Sequence, residues 1–227
     1  MKSVTFGIFA HPDDAAFGPS GTLCLAAQSG DVHLVCATCG GNGANPDHVS
    51  SLSDVREAEE KHAAELIGAS SLELFRYEDG TLNNNLYLEL GNKIITHVHN
   101  TLEKYREPTE ATLITFDTNG LSGHIDHIAV ALATTYAYLS LHAHYPTMRL
   151  KYFCLSDEVV PHANTDWLFM PKGRVNQDIS ETIDVRSVKE QKLEIIHAHA
   201  TQRADADHNI AMMGDHLFNE CFYEYKD

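Results

Sequence analysis

Two short segments hold residue types that could do chemistry. In the first, IFAHPDDAAFG at 8–18, an apolar run stops abruptly at His11-Pro12-Asp13-Asp14. Pro12 has no amide hydrogen for a sheet ladder and a fixed φ, so the acidic pair is thrown into a tight loop. The second is Gly123-His124-Ile125-Asp126-His127, again just past an apolar run. His11, one of Asp13 or Asp14, and one of His124 or His127 make two imidazoles and a carboxylate with an open coordination position. That is the donor set of a catalytic zinc site, whose fourth ligand is water. The carboxylate left over could take a proton from that water, and the imidazole left over could donate to a developing oxyanion. Read singly, each segment is also an ordinary turn with a helix cap, because Asp and Pro are common turn residues. The metal reading gains its weight from both segments lying at strand ends.

The elements that must position them read as alternating strands and helices. Residues 3–10 and 31–38 are continuous apolar, β-rich runs, as expected of strands buried on both faces. Between them residues 22–29 form an alanine-rich helical pattern with Gly30 placed as its C-cap. Strand, helix and strand make a βαβ unit and imply a parallel sheet with a right-handed crossover. After a glycine-rich loop at 38–51, Ser53 or Asp54 can cap a helix running to Ile67. In it Val55, Ala58, His62 and Leu66 follow one face, while Arg56 and Glu60 pair four apart on another.

Further strands are expected over 72–77, 112–116 and 150–156, with a short edge strand over 182–185. Helices are expected over 86–105 (closed by Pro108), 128–141 and 188–199. Residues 157–178, with the only tryptophan, read as a surface excursion, and 217–225 as an aromatic tail that docks. This order predicts a single α/β domain over 1–227, Rossmann-like and doubly wound, with a mostly parallel sheet. Ligands of such sheets bind beyond the carboxyl ends of the strands, and the loops after the first four strands are the polar, glycine-rich ones.

The net charge of −16 argues against nucleic acid or an anionic membrane as the main partner. No apolar run approaches a membrane span, and the first residues lack a signal-peptide pattern. Five scattered cysteines make no disulfide framework, so a reducing, cytoplasmic setting is expected.

AHPDD at 10–14, Gly21-Thr22, GHIDHIAVA at 123–131 and HATQ at 199–202 resemble the LmbE/PIG-L-like N-deacetylases. These are zinc enzymes that remove acetyl from N-acetylglucosamine-type conjugates. The resemblance extends to Thr38 with its following glycines, VREAEEKHAAELIG at 55–68, Asp79-Gly80, residues 184–202 with Lys192, and Glu220 with Phe222. It implies one zinc per subunit, or another divalent metal, held by His11, Asp14 and His127. It makes Asp13 the general base, His124 the group that stabilises the oxyanion and protonates the leaving amine, and Asp126 the residue that tunes His124. Arg56 and Asp79 are implied to hold the sugar. The implied partner is a small N-acetylated amino sugar or its conjugate, and small deacetylases of this type often assemble as homo-oligomers.

One departure matters. Where the family has a glutamate directly after HPDD or one position later, this chain has Ala15 and Ala16. That leaves open a weakly active or non-catalytic sugar- or metal-binding protein. A metal-dependent phosphoester hydrolase is a further alternative, against which stands the scarcity of lysine and arginine near the motifs.

Other signals point to structure. Cys36 and Cys39 have redox-motif spacing but lie at a strand end, and read as buried apolar thiols. The pairs His97/His99 and His142/His144 diverge on a helix and read as solvent-facing. His199 is either site-lining or on a helix surface. His162 and His208 lie in loops, and the pocket's outer wall is expected from 40–51 and 157–178.

Overall fold

The computed structural model describes residues 2–106, 109–160 and 172–226; Pro108, His162 and Trp167 lie outside that range. Strands β1 (Lys2–Phe9), β2 (Asp31–Thr38), β3 (Ser71–Tyr77), β4 (Thr109–Phe116) and β5 (Arg149–Cys154) pair in parallel. Two more, β6 (Glu181–Asp184) and β7 (Asn219–Glu224), add an antiparallel flank. The single sheet has the order β3-β2-β1-β4-β5-β7-β6. The helices are α1 (Asp14–Phe17), α2 (Ser20–Ala27), α3 (Leu52–Ile67), α4 (Tyr87–Leu102), α5 (Gly120–Gly123), α6 (Ile125–His142), α7 (Lys189–His197) and α8 (Arg203–Met213).

This is the expected doubly wound α/β architecture. From β1 the chain works outward through β2 to β3, with α2, α3 and α7 packed together over that half. It then returns across the sheet to β4 and β5, with α4 on α6 and α6 on β1, β4 and β5. The strand order therefore reverses between β1 and β4, whose carboxyl-end loops splay to opposite sides and leave a crevice. Val4, Phe6, Ile8 and Phe9 of β1 are all buried, as suits a central strand covered on both faces.

Several expectations need revision. Helix α3 turns a different face inward: Leu52, Arg56, Glu60, Ala63, Ala64 and Ile67 are buried, whereas Ala58 and His62 are exposed. The charged pair faces the interior because it serves the loop after β1. The helix also starts from Ser51 in a left-handed conformation rather than from a cap at 53 or 54. Helix α2 ends at Ala27 with Gln28 in the C-cap position. Gly30 instead lets the chain pass Ser3, whose carbonyl oxygen would lie 2.3 Å from a Cβ there. The docking tail is β7, an interior strand between β5 and the edge strand β6; Glu220 and Phe222 point inward at the strand period. Of the paired histidines only His144 is exposed: His97 meets the edge of Phe6, His99 meets the Tyr145 hydroxyl at 2.8 Å, and His142 lies against Tyr138.

Glu220 explains how the segment after α1 is held. Its carboxylate accepts the N–H groups of Gly21 (2.9 Å) and Thr22 (2.7 Å), in the first turn of α2, which no side-chain cap from its own N-terminus serves. Lys192 of α7 is paired to the same carboxylate and donates to the Gly18 carbonyl at 2.7 Å; both side chains are almost fully buried. An anion at a helix start, neutralised by one lysine, is a favourable arrangement for both groups. Among the described residues no helix is long and apolar enough to cross a membrane.

Candidate metal centre

The two chemical segments form the lips of the crevice. On the β1 side Ala10 still accepts from Thr38 N–H at 2.8 Å; Pro12 then ends the pairing. Asp13 follows with φ 104°, a backbone conformation that costs a side-chain-bearing residue about 1–3 kcal/mol. Helix α3 holds it there. Arg56 donates to the Pro12 carbonyl and to Asp13 Oδ2 (2.8 Å), and Glu60 Oε2 accepts the Asp13 N–H at 3.2 Å. Asp14 Oδ2 accepts the His11 N–H at 2.6 Å, which turns that carboxylate back toward the imidazole of its own loop.

On the β4 side, Gly120 (φ 72°) makes the sharp bend before α6. His124 caps α6 by accepting the Asp126 N–H on Nδ1 at 3.2 Å, so a neutral His124 carries its proton on Nε2. His127 stacks on Phe116, with ring centroids 4.1 Å apart. Its Nδ1 donates to the Gly120 carbonyl at 3.0 Å, which leaves Nε2 as a lone-pair donor facing the crevice.

Three donor groups then meet across the crevice. His11 Nδ1 lies 3.1 Å from His127 Nε2 and 3.4 Å from Asp14 Oδ2, and His127 Nε2 lies 3.3 Å from Asp14 Oδ1. Tetrahedral zinc with bonds of about 2.0–2.1 Å requires ligand separations of about 3.3–3.4 Å. The three separations lie near that value, the two to Asp14 running to different oxygens of its carboxylate. His124 offers a donor atom within 4.8 Å of those of His11 and His127, beside the triangle.

Behind the triangle, His11 Nε2 faces Asp79 Oδ1 (3.1 Å) and Asp126 Oδ2 (3.2 Å). Carboxylates placed on the far nitrogen fix the tautomer and ring angle of a metal-binding histidine. The Asp126 carboxylate also accepts the N–H groups of Gly80 (2.8 Å) and Leu82 (3.0 Å). Its expected link to His124 therefore runs through its backbone N–H, while its side chain serves His11. Asp79, beyond its contact with His11, accepts the Asn42 N–H at 3.2 Å and lies 4.0 Å from Arg56. Arg56 spends both terminal nitrogens on Gly40, Pro12 and Asp13, leaving Nε without a partner.

The electrostatics also favour a cation. Asp13, Asp14, Glu60, Asp79 and Asp126 converge here, and among the described residues Arg56 is the guanidinium paired with them. Burial raises the Asp13 carboxyl well above its usual range, with Arg56 opposing and Asp14 adding to it. Burial and Asp14 push Glu60 up to about 7. Burial alone would raise Asp14, but His127 and His11 outweigh it and keep that carboxyl ionised. His11 is raised because hydrogen bonds to Asp126 and Asp14 overcome the opposing effect of burial. A divalent ion would supply the positive charge that the cluster draws onto this imidazole.

A cavity of about 400 Å³ opens over the centre. It is bounded by the β1 and β4 loops, by Asn42 and Gly43, and by Asp205, His208 and Asn209 of α8, an element with no clear signature in the sequence. Glu60 was likewise missed as a site residue; its position four residues after Arg56 was the available signal. His199 neither lines the cavity nor lies on a surface. It is fully buried, edge-on to Phe17 and 3.7 Å from Glu60. Ala15 and Ala16 are buried in the core, and the acid that meets the loop comes from α3 instead. Cys36 is buried, which pushes its thiol up and leaves it unreactive; Cys39 is half-buried.

The chain is similar to several known proteins. The chain is 31% identical over 132 residues to a probable N-acetylglucosaminyl-phosphatidylinositol de-N-acetylase of Schizosaccharomyces pombe, covering 57% of this chain and 49% of that protein. It is 28% identical over 204 residues to a probable N-acetyl-alpha-D-glucosaminyl L-malate deacetylase 2 of Bacillus anthracis, covering 87% and 80%. Among solved structures, N,N'-diacetylchitobiose deacetylase of Pyrococcus horikoshii shares the fold with a TM-score of 0.65 at 18% identity, over 98% of this chain and 83% of that one. The 4-carboxy-2-hydroxymuconate hydratase GalB of Pseudomonas putida shares it with a TM-score of 0.67 at 18% identity, over 100% and 97%, so the fold by itself does not fix the reaction. The PIG-L family model, described as GlcNAc-PI de-N-acetylase, matches residues 7–138, which run from β1 through both lips of the crevice into α6; the chain belongs to that family.

Proposed function

We propose that this chain is a zinc-dependent N-deacetylase that hydrolyses the acetamido group of a small N-acetylated amino sugar or its conjugate. The observation that carries the reading is the meeting of His11 Nδ1, Asp14 and His127 Nε2, with Asp13 and His124 lining the same cavity. Zinc held by those three residues would polarise the amide carbonyl and lower the pKa of a water molecule.

The protein's own groups do the rest. Asp13, with its carboxyl raised by burial, takes a proton from the water that attacks the carbonyl carbon. Its position is set by Arg56 and by the Glu60 bond to its backbone. His124, protonated on Nε2, donates to the carbonyl oxygen as negative charge develops there. A proton then reaches the nitrogen through His124 as the C–N bond breaks, giving acetate and a free amine. Arg56 and Asp79 line the cavity beside the centre and are the residues assigned to the sugar. The free cysteines support a reducing, cytoplasmic setting.

Elemental analysis combined with acetate and amine assays on N-acetylglucosamine conjugates tests this reading. The expected result is one zinc per chain and stoichiometric release of acetate. Asp13→Asn should lower kcat by about 10²–10⁴ while the zinc is retained. Metal without acetate release from any acetylated sugar would favour a binding protein or another reaction on this fold. No bound metal would reject the mechanism.

A further inference from the structure

The cavity lining is mixed: beside the polar centre and Asp205, His208 and Asn209 of α8 it holds the apolar residues Phe17, Leu121, Phe153, Leu155, Met212 and Met213. These come from α1, the α5 turn, the end of β5 and the end of α8, so the apolar wall is an assembled surface and not one stray side chain. Two of them are methionines, whose flexible thioether side chains adapt to varied apolar ligands. A small-molecule site of about 300–1,000 Å³ is commonly lined in this way, with a few polar groups at one end.

The charges around this wall are equally informative. Among the described residues lining the cavity, Arg56 is the only lysine or arginine, and its terminal nitrogens are occupied by Gly40, Pro12 and Asp13. Asp205, exposed on α8, adds a carboxylate to the cavity lining. Arg174, on the segment that follows β5, is paired to Asp117 through two hydrogen bonds of 2.6 and 2.7 Å. Among the described lining residues, a phosphate or carboxylate on the sugar's substituent would meet apolar carbon and carboxylates, with no lysine or arginine other than Arg56 to pair it.

We infer that the substrate is an N-acetylated amino sugar carrying an uncharged, apolar aglycone, which lies against the wall formed by Phe17, Phe153, Leu155, Met212 and Met213. The inference rests on the deacetylase reading and narrows it. It separates this chain from its Bacillus anthracis relative, whose name specifies a malate conjugate.

The test uses the zinc-loaded protein with the methyl and n-octyl glycosides of N-acetylglucosamine, its L-malate conjugate and its 1-phosphate. Binding of the corresponding amine products is measured alongside by calorimetry. The octyl glycoside should exceed the methyl glycoside in kcat/KM by about tenfold or more, since each buried methylene contributes about 0.8 kcal/mol, near fourfold. Both anionic conjugates should fall below the methyl glycoside. Octyl glucosaminide should bind more tightly than glucosamine 1-phosphate. Met212→Lys should shrink the octyl-to-malate ratio by supplying the missing cation. Equal rates for octyl and methyl glycosides, or a preference for either anion, would overturn the inference and leave the deacetylase reading standing. No amine from any of the four, with zinc fully loaded, would overturn the deacetylase reading itself.

Discussion

Glu60 accepts the backbone N–H of Asp13 at 3.2 Å, from a helix that begins some forty residues later in the chain. Together with Arg56 it grips the one residue of the HPDD loop whose φ is positive. The Glu60 bond is a positioning device, because it reaches the Asp13 backbone and leaves the carboxylate, which Arg56 holds, to take the proton. Glu60→Ala should leave a buried N–H unpaired and free the loop, lowering kcat by about 10–100-fold with zinc content unchanged. Glu60→Gln keeps an oxygen acceptor and should recover most of the loss. Steady-state kinetics alongside zinc analysis on the two variants would decide it; equal loss in both would point to the charge of Glu60 instead.

Asp126 gives a second prediction. Its carboxylate orients His11 and ties down Gly80 and Leu82, so Asp126→Asn should weaken zinc binding by about 10–100-fold. Competition with a chromogenic chelator measures this directly. Unchanged affinity with a shifted kcat would return Asp126 to the role of tuning His124.

The buried pair of Lys192 and Glu220 should be a stability determinant. Lys192→Met leaves a buried carboxylate with amide donors alone and should cost about 3–5 kcal/mol. Lys192→Met combined with Glu220→Met should recover part of that cost, since it removes the unpaired charge. Urea denaturation gives both values; a single-variant loss below about 1 kcal/mol would mean the site relaxes or hydrates.

His199 gives a pH prediction. Burial lowers it from 6.5 to about 3, Arg56 adds to the lowering, and neither ring nitrogen has a hydrogen-bond partner. Its 3.7 Å separation from Glu60 invites description as an ion pair, yet that exceeds hydrogen-bond reach, and a neutral imidazole is the better account. Below pH 6.5 the unfolded chain takes up a proton that the folded chain refuses, so stability falls as pH falls from there toward about 3. His33 and His97, also lowered chiefly by burial, add to the same slope. His199→Leu should flatten the decline between pH 7.5 and 5.5, measured by urea midpoints. An unchanged slope would show that His199 protonates freely in the folded state.

The meeting of the two chemical segments was legible because each follows an apolar run and both fall at strand carboxyl ends. His11, Asp14 and His127 converge because β1 and β4 are neighbours at the switch in strand order, which the βαβ pattern implied. The inward face of α3 was not legible. Apolar periodicity selects the stripe through Val55, Ala58, His62 and Leu66, whereas the fold buries Arg56 and Glu60 to hold the loop. A functional demand overrode the hydrophobic rule. Helix α8 was hidden by its weakly patterned sequence, RADADHNIAMM, although it forms part of the cavity wall. The role of β7 was obscured because a short aromatic run does not reveal its neighbours, and its place between β5 and β6 is set by long-range pairing.

The bond from Glu220 to Gly21 spans 199 positions of sequence. The first βαβ unit can pair locally, while the anchor for the segment just past the HPDD loop comes from β7, after the other strands of the sheet. Domains built this way mature late, because contacts of high sequence separation cannot form until the distant partner exists. The loop that would grasp the metal is thus secured only once β7, which follows every other strand of the sheet in chain order, has been made.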